Sequence, residues 1–420
     1  MRSPRRSRAA QLAILVAPYA VPLAVALAAW PVLSPSPAVG DNFQFWAAGH
    51  MAVTGQSPYD RASWEAAAAY GPEPGGVAAS TVARNLQLTR AVWLYPPHAA
   101  FAFAPFGALP IELGVPLLHL FVAAVAFVGI ATAARATGLT GGPLALALTA
   151  AVVSQPFVIS VRDGHPIGLL LLGATLAYLG LRRRRHWPLV AGAVLLSFKP
   201  QVAALFGVGV IATLVARRDW RGIALTLVAL VAALAPAELI DPFPFSDVAA
   251  ATGERLAADL STLPALARDM GGGVLLTLLL ALGMIAACAA AVRITRGERR
   301  ANAAFASLLL GSLAVSPYVH DYDLLLCVPA AFAAVGFGMR TRHELPIALG
   351  AAGILIVVPW LLFYWWPLAG QGDRIYLGGA LGGVPVVFAL MLAAAATWAR
   401  GRESASARGP SPQEAVGLAT

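Results

Sequence analysis

The stretch RRRRHWPLVAGAVLLSFKPQVAALFGVGVIATLVARRDWR, residues 182–221, decides how the chain is threaded. A long apolar run is flanked by Arg182 to Arg185 on one side and by Arg217, Arg218 and Arg221 on the other, and it is interrupted only at Lys199-Pro200. One tilted helix would place the two basic clusters on opposite sides of a membrane. Two shorter helices broken at Lys199-Pro200 bring the chain back and keep both clusters on the cytoplasmic side, where positive charge accumulates. Proline disfavours helical geometry in the residue before it, so the break has a local cause. The first half, residues 188–198, then reaches only about 16 Å and either stops partway or thins the membrane around it.

The rest of the chain agrees with a membrane reading. Of 420 residues, 59% are hydrophobic and 12% charged, whereas a soluble domain carries about 25% charged residues. The class is all-α, a polytopic membrane protein. Apolar runs predict about twelve transmembrane helices near residues 9–30, 111–134, 143–161, 166–181, 188–198, 200–216, 221–240, 272–292, 301–317, 322–339, 346–366 and 376–399, since about 20 apolar residues cross the hydrocarbon. The segment from Tyr95-Pro96-Pro97-His98 to Leu109-Pro110 is short and bounded by prolines, and reads as interfacial or re-entrant. Met1 to Arg8 with the following 22-residue run reads as a retained signal anchor.

The net charge of +9 does not point to nucleic acid. All but one of the basic residues are Arg, mostly in short clusters between apolar runs, and no nucleic-acid module is visible. With the spans above, one side carries 21 Arg against 5 acids and the other 8 basic against 15 acidic residues. That asymmetry puts both termini in the cytoplasm. Residues 1–399 form a single transmembrane domain. Two extracytoplasmic segments, 31–110 and 241–271, are too long to be simple connections and are expected to carry interfacial helices; residues 400–420 read as a disordered cytoplasmic tail. Cys288 and Cys327 lie inside apolar runs and read as core residues.

Polar residues gather on the extracytoplasmic side: Asp41, Tyr95 to His98, Arg162-Asp163-Gly164-His165, Lys199, and Ser316 to Asp323. Asp41 sits just beyond the first span, within Gly40-Asp41-Asn42-Phe43-Gln44-Phe45-Trp46. An ionisable group at a membrane boundary suggests a site; the plain alternative is a helix-capping aspartate. Lys199, the only lysine, needs an anion, either a lipid-borne phosphate or a protein carboxylate such as Asp163 or Asp321. Snorkelling to the headgroups is its plain reading. His320, flanked by Asp321 and Asp323, can hold a metal, donate a proton or contact phosphate, or simply sit in a solvated loop. No metal-ligand spacing, phosphate-binding loop, dinucleotide fingerprint or nucleophile elbow appears.

Taken in order, Asp41-Asn42-Phe43-Gln44-Phe45-Trp46, Gly55-Gln56-Ser57-Pro58-Tyr59-Asp60, Leu94-Tyr95-Pro96-Pro97 with Ala104-Pro105-Phe106-Gly107-Ala108-Leu109-Pro110, Phe198-Lys199-Pro200 and Ser316-Pro317-Tyr318 resemble glycosyltransferase family 87. The resemblance covers roughly residues 10–400. It implies the GT-C glycosyltransferase fold and an enzyme similar to polyprenyl-phosphomannose-dependent mannosyltransferases, or to an arabinofuranosyltransferase of cell-envelope assembly. The implied partners are a polyprenyl-phosphate sugar donor, a glycolipid or glycan acceptor and the membrane lipids. The family's loop aspartate, taken as general base, maps onto Asp41, and its Lys-Pro onto Lys199. The family often has Gly-Gln followed by Asn before the fourth span, whereas here His165-Pro166-Ile167 follows Gly164, which leaves that loop's contact open.

The residues suit such chemistry. A sugar phosphate already has a good leaving group, so one base and a few cations suffice. Asp41 is the expected base, and Lys199, His320, Arg162 and His165 the expected phosphate contacts. Asn42, Gln44, Tyr59, Tyr95, His98, Asp163, Tyr318 and Asp321 are the expected acceptor or sugar contacts. A single carboxylate inverts the anomeric centre; a retaining route needs a second, for which Asp163 and Asp321 are the candidates. No cofactor and no obligatory metal are expected. The expected location is the cytoplasmic membrane, with the site facing outward. A flippase or exporter of lipid-linked sugars is the alternative function, and an enzyme glycosylating lipid A or protein would differ only in acceptor.

Overall fold

The computed structural model describes residues 8–30, 41–67, 93–256, 261–338, 349–362 and 378–406. Every regular element among them is helical. In chain order the helices are α1 Arg8–Ala28, α2 Asn42–Thr54, α3 Arg61–Ala67, α4 Pro97–Gly107, α5 Ile111–Ala136, α6 Gly141–Val152, α7 Gln155–Asp163 and α8 Ile167–Arg183. There follow α9 His186–Leu196, α10 Pro200–Ala216, α11 Trp220–Ile240, α12 Phe245–Leu256, α13 Leu263–Asp269, α14 Val274–Ile294, α15 Gly297–Val315, a 3-10 turn Asp321–Cys327 and α16 Val328–Gly338. The last are α17 Leu349–Leu362, a short α18 Gly378–Leu381 and α19 Val384–Ser406.

Helices stand at each of the twelve expected places, but among the described residues length and composition qualify four as membrane-crossing: α5, α11, α14 and the Val384–Gly401 part of α19. A fifth is added if α6 and α7 count together. The expected continuous span at 143–161 is in fact this pair, bent by 54°. Pro156 stands in the first turn of α7 and has no N–H to continue the ladder of α6. The expected span at 322–339 likewise begins as a 3-10 turn. The expected tail is shorter at its start, because α19 continues to Ser406; residues 407–420 lie outside the described residues, as do 31–40 and 68–92 of the first long segment.

The break at Lys199-Pro200 is present, and the hairpin reading holds. α9 and α10 are separate helices, and His186 at the start of α9 lies 3.1 Å from the Asp219 carboxylate just beyond α10. Both basic clusters therefore sit at one end of the bundle. The same end gathers the other basic loops: Arg182 bonds the Ala136 carbonyl and Glu298, and Arg217 bonds the Leu181 carbonyl. α9 is short yet firmly seated on α8. A Cβ on Gly192 would lie 2.5 Å from the Gly173 carbonyl oxygen, so the two backbones touch, as small residues permit inside membranes.

Apolar side chains face outward from this fold as well as into its core. Large apolar side chains are exposed along α11 and α14, among them Val228, Val231, Leu275 and Leu279. Lys199, Asp321 and Asp323 are buried. Water would penalise such a surface and hydrocarbon would not. The two long segments carry short helices, α2, α3 and α4 in the first and α12 and α13 in the second. α4 covers only about 16 Å, too little to cross, and packs along α2.

Candidate active site

Asp41 immediately precedes α2, and the residues around it define the site. Asp41 occupies the N-cap position, yet its carboxylate makes no capping hydrogen bond. It is half-buried and acts electrostatically on Lys199, Asp163 and Tyr322. Residues 41, 163, 199 and 322 therefore meet at one end of the bundle, away from the arginine-rich loops.

Asn42 fixes this start. It is buried, shares a 3.1 Å hydrogen bond with His119 on α5 and donates to the Arg162 carbonyl at 3.3 Å. Its amide presses on Gly164, where φ is +73° and a Cβ would come within 1.7 Å of the Asn42 Oδ1. Asn42 was expected to contact a sugar. It is instead packed into the protein, holding α2 against the loop between α7 and α8.

That loop carries His165, which is buried and stacked on Tyr322 with ring centroids 3.7 Å apart. Its Nε2 and the Tyr95 hydroxyl share a hydrogen bond, while its Nδ1 is buried without one. Burial, then the Lys199 and His320 charges, hold the imidazole well below its ordinary value, so it is neutral. This argues against the expected role as a cationic phosphate contact. The Tyr95 hydroxyl, expected to meet a sugar, is taken up by the same bond.

Lys199 stands at the break between α9 and α10, fully enclosed. Its ammonium lies 2.7 Å from each carboxylate oxygen of Asp323, with the rings of Tyr322 and Tyr318 at 5.0 and 5.5 Å. The expected protein partners were Asp163 and Asp321; the observed one is Asp323. Asp321 is bound elsewhere, accepting from Gln155 Nε2 at 2.8 Å and from the Tyr322 amide at 2.9 Å. It is also buried, so in this structure Asp321 serves the fold of its loop.

Other expected sugar contacts also have structural partners. His98 is buried against Ser197, 3.0 Å from its hydroxyl, and burial pushes its imidazole down to about 4. It braces the segment that leads to Lys199. The Tyr59 hydroxyl donates to the Tyr95 carbonyl at 2.6 Å, and Ser57 donates to Asp241 at 2.8 Å, so this motif latches the first long segment to the second. Tyr318 shares a 2.7 Å hydrogen bond with His320 and lies over Lys199. Gln44 and Asp163 are half-buried. Arg162, at the end of α7, is exposed, and His320 is half-buried.

One network thus joins Asp41, Asn42, Tyr95, Asp163, His165, Lys199, Tyr318, His320 and Asp321. Sequence reasoning missed Tyr322, Gln155 and His119, and treated Asp323 only as a neighbour of His320. Aromatic residues in a short loop read as interface anchors, so nothing marked Tyr322 as the plate between His165 and Lys199. Among the described residues, no group of three His, Cys, Asp or Glu side chains is arranged to hold a metal ion.

The family profile described as glycosyltransferase family 87 matches residues 93–317. That range contains Tyr95, His98, Arg162, Asp163, His165 and Lys199. Asp41 and residues 318–323 lie outside it, yet they pack into the same network. No curated protein and no solved structure matches the chain. More than half of the sequence fits the family profile, and the chain belongs to glycosyltransferase family 87, a family of membrane glycosyltransferases.

Proposed function

We propose that this glycosyltransferase moves a mannosyl group from a polyprenyl-phosphate donor to a glycolipid or glycan acceptor at the outer face of the cytoplasmic membrane. Asp41 takes the proton from an acceptor hydroxyl, and that oxygen attacks the anomeric carbon. The bond from the anomeric carbon to the phosphate oxygen breaks, and polyprenyl phosphate leaves with its electron pair. One displacement inverts the centre, so a β-linked donor gives an α-linked product.

The observation that carries this reading is the state of Asp41. It is a half-buried carboxylate that makes no capping bond to α2 and lies within electrostatic reach of Lys199, Asp163 and Tyr322, where an acceptor hydroxyl can meet a base. The same geometry reassigns the cations. Lys199 already neutralises Asp323, so it positions the loop that carries His320, and the donor phosphate falls to Arg162 and His320. Asp163 lies close enough to Asp41 for their charges to repel, and remains the one candidate for a retaining nucleophile. In this scheme the arginine-rich end is cytoplasmic and twelve helical passes, several of them short, put the Asp41 end outside.

The test is transfer by purified protein, supplied with radiolabelled polyprenyl-phosphomannose or, separately, the arabinose donor, plus membrane glycolipid extract. Mannose transfer is expected. Asp41→Asn is expected to lower it by about 10²–10⁴-fold, the usual contribution of a positioned base, with donor binding retained. Unchanged transfer by Asp41→Asn would overturn the base assignment, and transfer from the arabinose donor alone would overturn the sugar.

A further inference from the structure

At the end of the bundle away from Asp41, a cavity of about 810 Å³ opens between α1, α5 and α8, with Glu298 of α15 at its edge. Its lining is divided along one direction. Phe127, Val128 and Ala131 on α5 form an apolar strip, and Arg135 follows one turn later on the same helix. Arg182 and Arg183, the last residues of α8, add two more cations.

The charges do not cancel. Three arginines line the cavity against one carboxylate, Glu298, which Arg182 holds at 2.5 Å. Arg182 also donates to the Ala136 carbonyl at 3.0 Å, so it is a fixed part of the wall. Arg135 and Arg183 are exposed at the mouth. The Arg135 guanidinium lies 5.3 Å from the ring centre of Tyr19, a residue of α1 that lines the same cavity. Helix ends with outward carbonyls attract arginines on their own. Here, however, three arginines from two helices border one space, which lies within the usual ligand range of about 300–1,000 Å³.

We propose that this cavity binds an anionic phospholipid, its phosphate between Arg135 and Arg183 and the head of an acyl chain along Phe127, Val128 and Ala131. A cation pair at the end of an apolar strip matches an amphiphile whose negative charge sits at the base of its chains. A zwitterionic lipid would fit the strip equally but would bring a positive charge of its own to the arginines. The leaflet is the cytoplasmic one, which rests on the arginine-rich end being inside; the binding itself does not depend on the transfer reaction.

The experiment is native mass spectrometry of the purified protein in detergent, titrated with dioleoyl phosphatidylglycerol or dioleoyl phosphatidylcholine. The wild type is expected to retain phosphatidylglycerol about tenfold more tightly, and R135Q/R183Q to retain the two lipids equally. Equal retention by the wild type overturns the proposal, and that comparison needs no variant to fold. Phosphatidylglycerol preference that survives in R135Q/R183Q overturns it too. Glycerol phosphate, which has the charge without the chains, is expected not to displace the lipid; displacement at matching concentrations would show a soluble-phosphate site instead. Glycosyl transfer is not the readout, so failure here is distinct from failure of the catalytic assignment.

Discussion

Lys199 Nζ lies 2.7 Å from both carboxylate oxygens of Asp323, and neither side chain reaches the surface. A buried pair of this kind contributes little against an apolar replacement, but removing one partner strands a charge at a cost of about 3–5 kcal/mol. Lys199→Met is therefore expected to lower the thermal midpoint sharply in detergent. The double variant Lys199→Met/Asp323→Leu is expected to recover most of that loss. Melting followed by size-exclusion chromatography checks this; a single variant as stable as wild type would show that the pair does not hold the loop.

Gly164 and Gly55 provide a matched comparison. Their φ angles are +73° and +72°, but a Cβ on Gly164 meets Asn42 at 1.7 Å, while one on Gly55 meets nothing within 4 Å. Both Gly→Ala changes should cost about 1–2 kcal/mol in backbone strain. Only Gly164→Ala should also push Asn42 off His119 and the Arg162 carbonyl, and with it shift Asp41. A misplacement of about 1 Å can cost about 10²-fold in rate, so transfer should fall far more in Gly164→Ala than in Gly55→Ala. Equal activities would remove Asn42 from the positioning of the base.

The latch between Ser57 and Asp241 should respond to pH. Burial raises the Asp241 carboxyl above its ordinary 3.8, with Glu238 adding to the effect, and the bond from Ser57 only partly offsets this. A carboxyl raised in the folded state stabilises the fold below its unfolded value, and that stability is lost as pH rises through the folded value. Asp241→Asn keeps a carbonyl to accept from Ser57 and has no proton to lose. The variant is expected to melt higher than wild type at neutral pH, with the difference shrinking toward pH 4. Thermal midpoints across that range check it, and a constant difference would mean the carboxyl does not titrate in the latch.

Much of this was legible because charge and proline act locally. The arginine clusters and Lys199-Pro200 foretold the α9–α10 hairpin, since neither cause depends on distant packing. Asp41, Lys199, His165 and His320 could be gathered on one side from topology alone. Their partners could not. Whether Lys199 met Asp163, Asp321 or Asp323 depended on the 3-10 turn at 321–327, which turns Asp323 to Lys199 and Asp321 to Gln155. The partners of Asn42, Tyr59 and His98 were hidden for a related reason: Asn42 bonds His119, the Tyr59 hydroxyl bonds the Tyr95 carbonyl and His98 bonds Ser197, and each bond joins residues that are distant in sequence.

With Lys199 occupied, the donor phosphate needs another cation, and Arg162 is the exposed one beside Asp41 and Asp163. Its carbonyl is held by Asn42, so the backbone is fixed while the guanidinium remains at the surface. A hydrogen bond to a charged group contributes about 1.5–3 kcal/mol, which corresponds to about 10–100-fold in affinity. Arg162→Gln is expected to raise the donor KM by that factor with the thermal midpoint little changed. Arg162→Lys should recover part of the loss, since it keeps the charge but not the planar fork. Donor binding measured in an Asp41→Asn background separates binding from turnover. If Arg162→Gln binds donor as wild type does, the phosphate is held elsewhere, and the Lys199–Asp323 pair would have to open on donor arrival, which the melting of the pair's variants would already have shown to be costly.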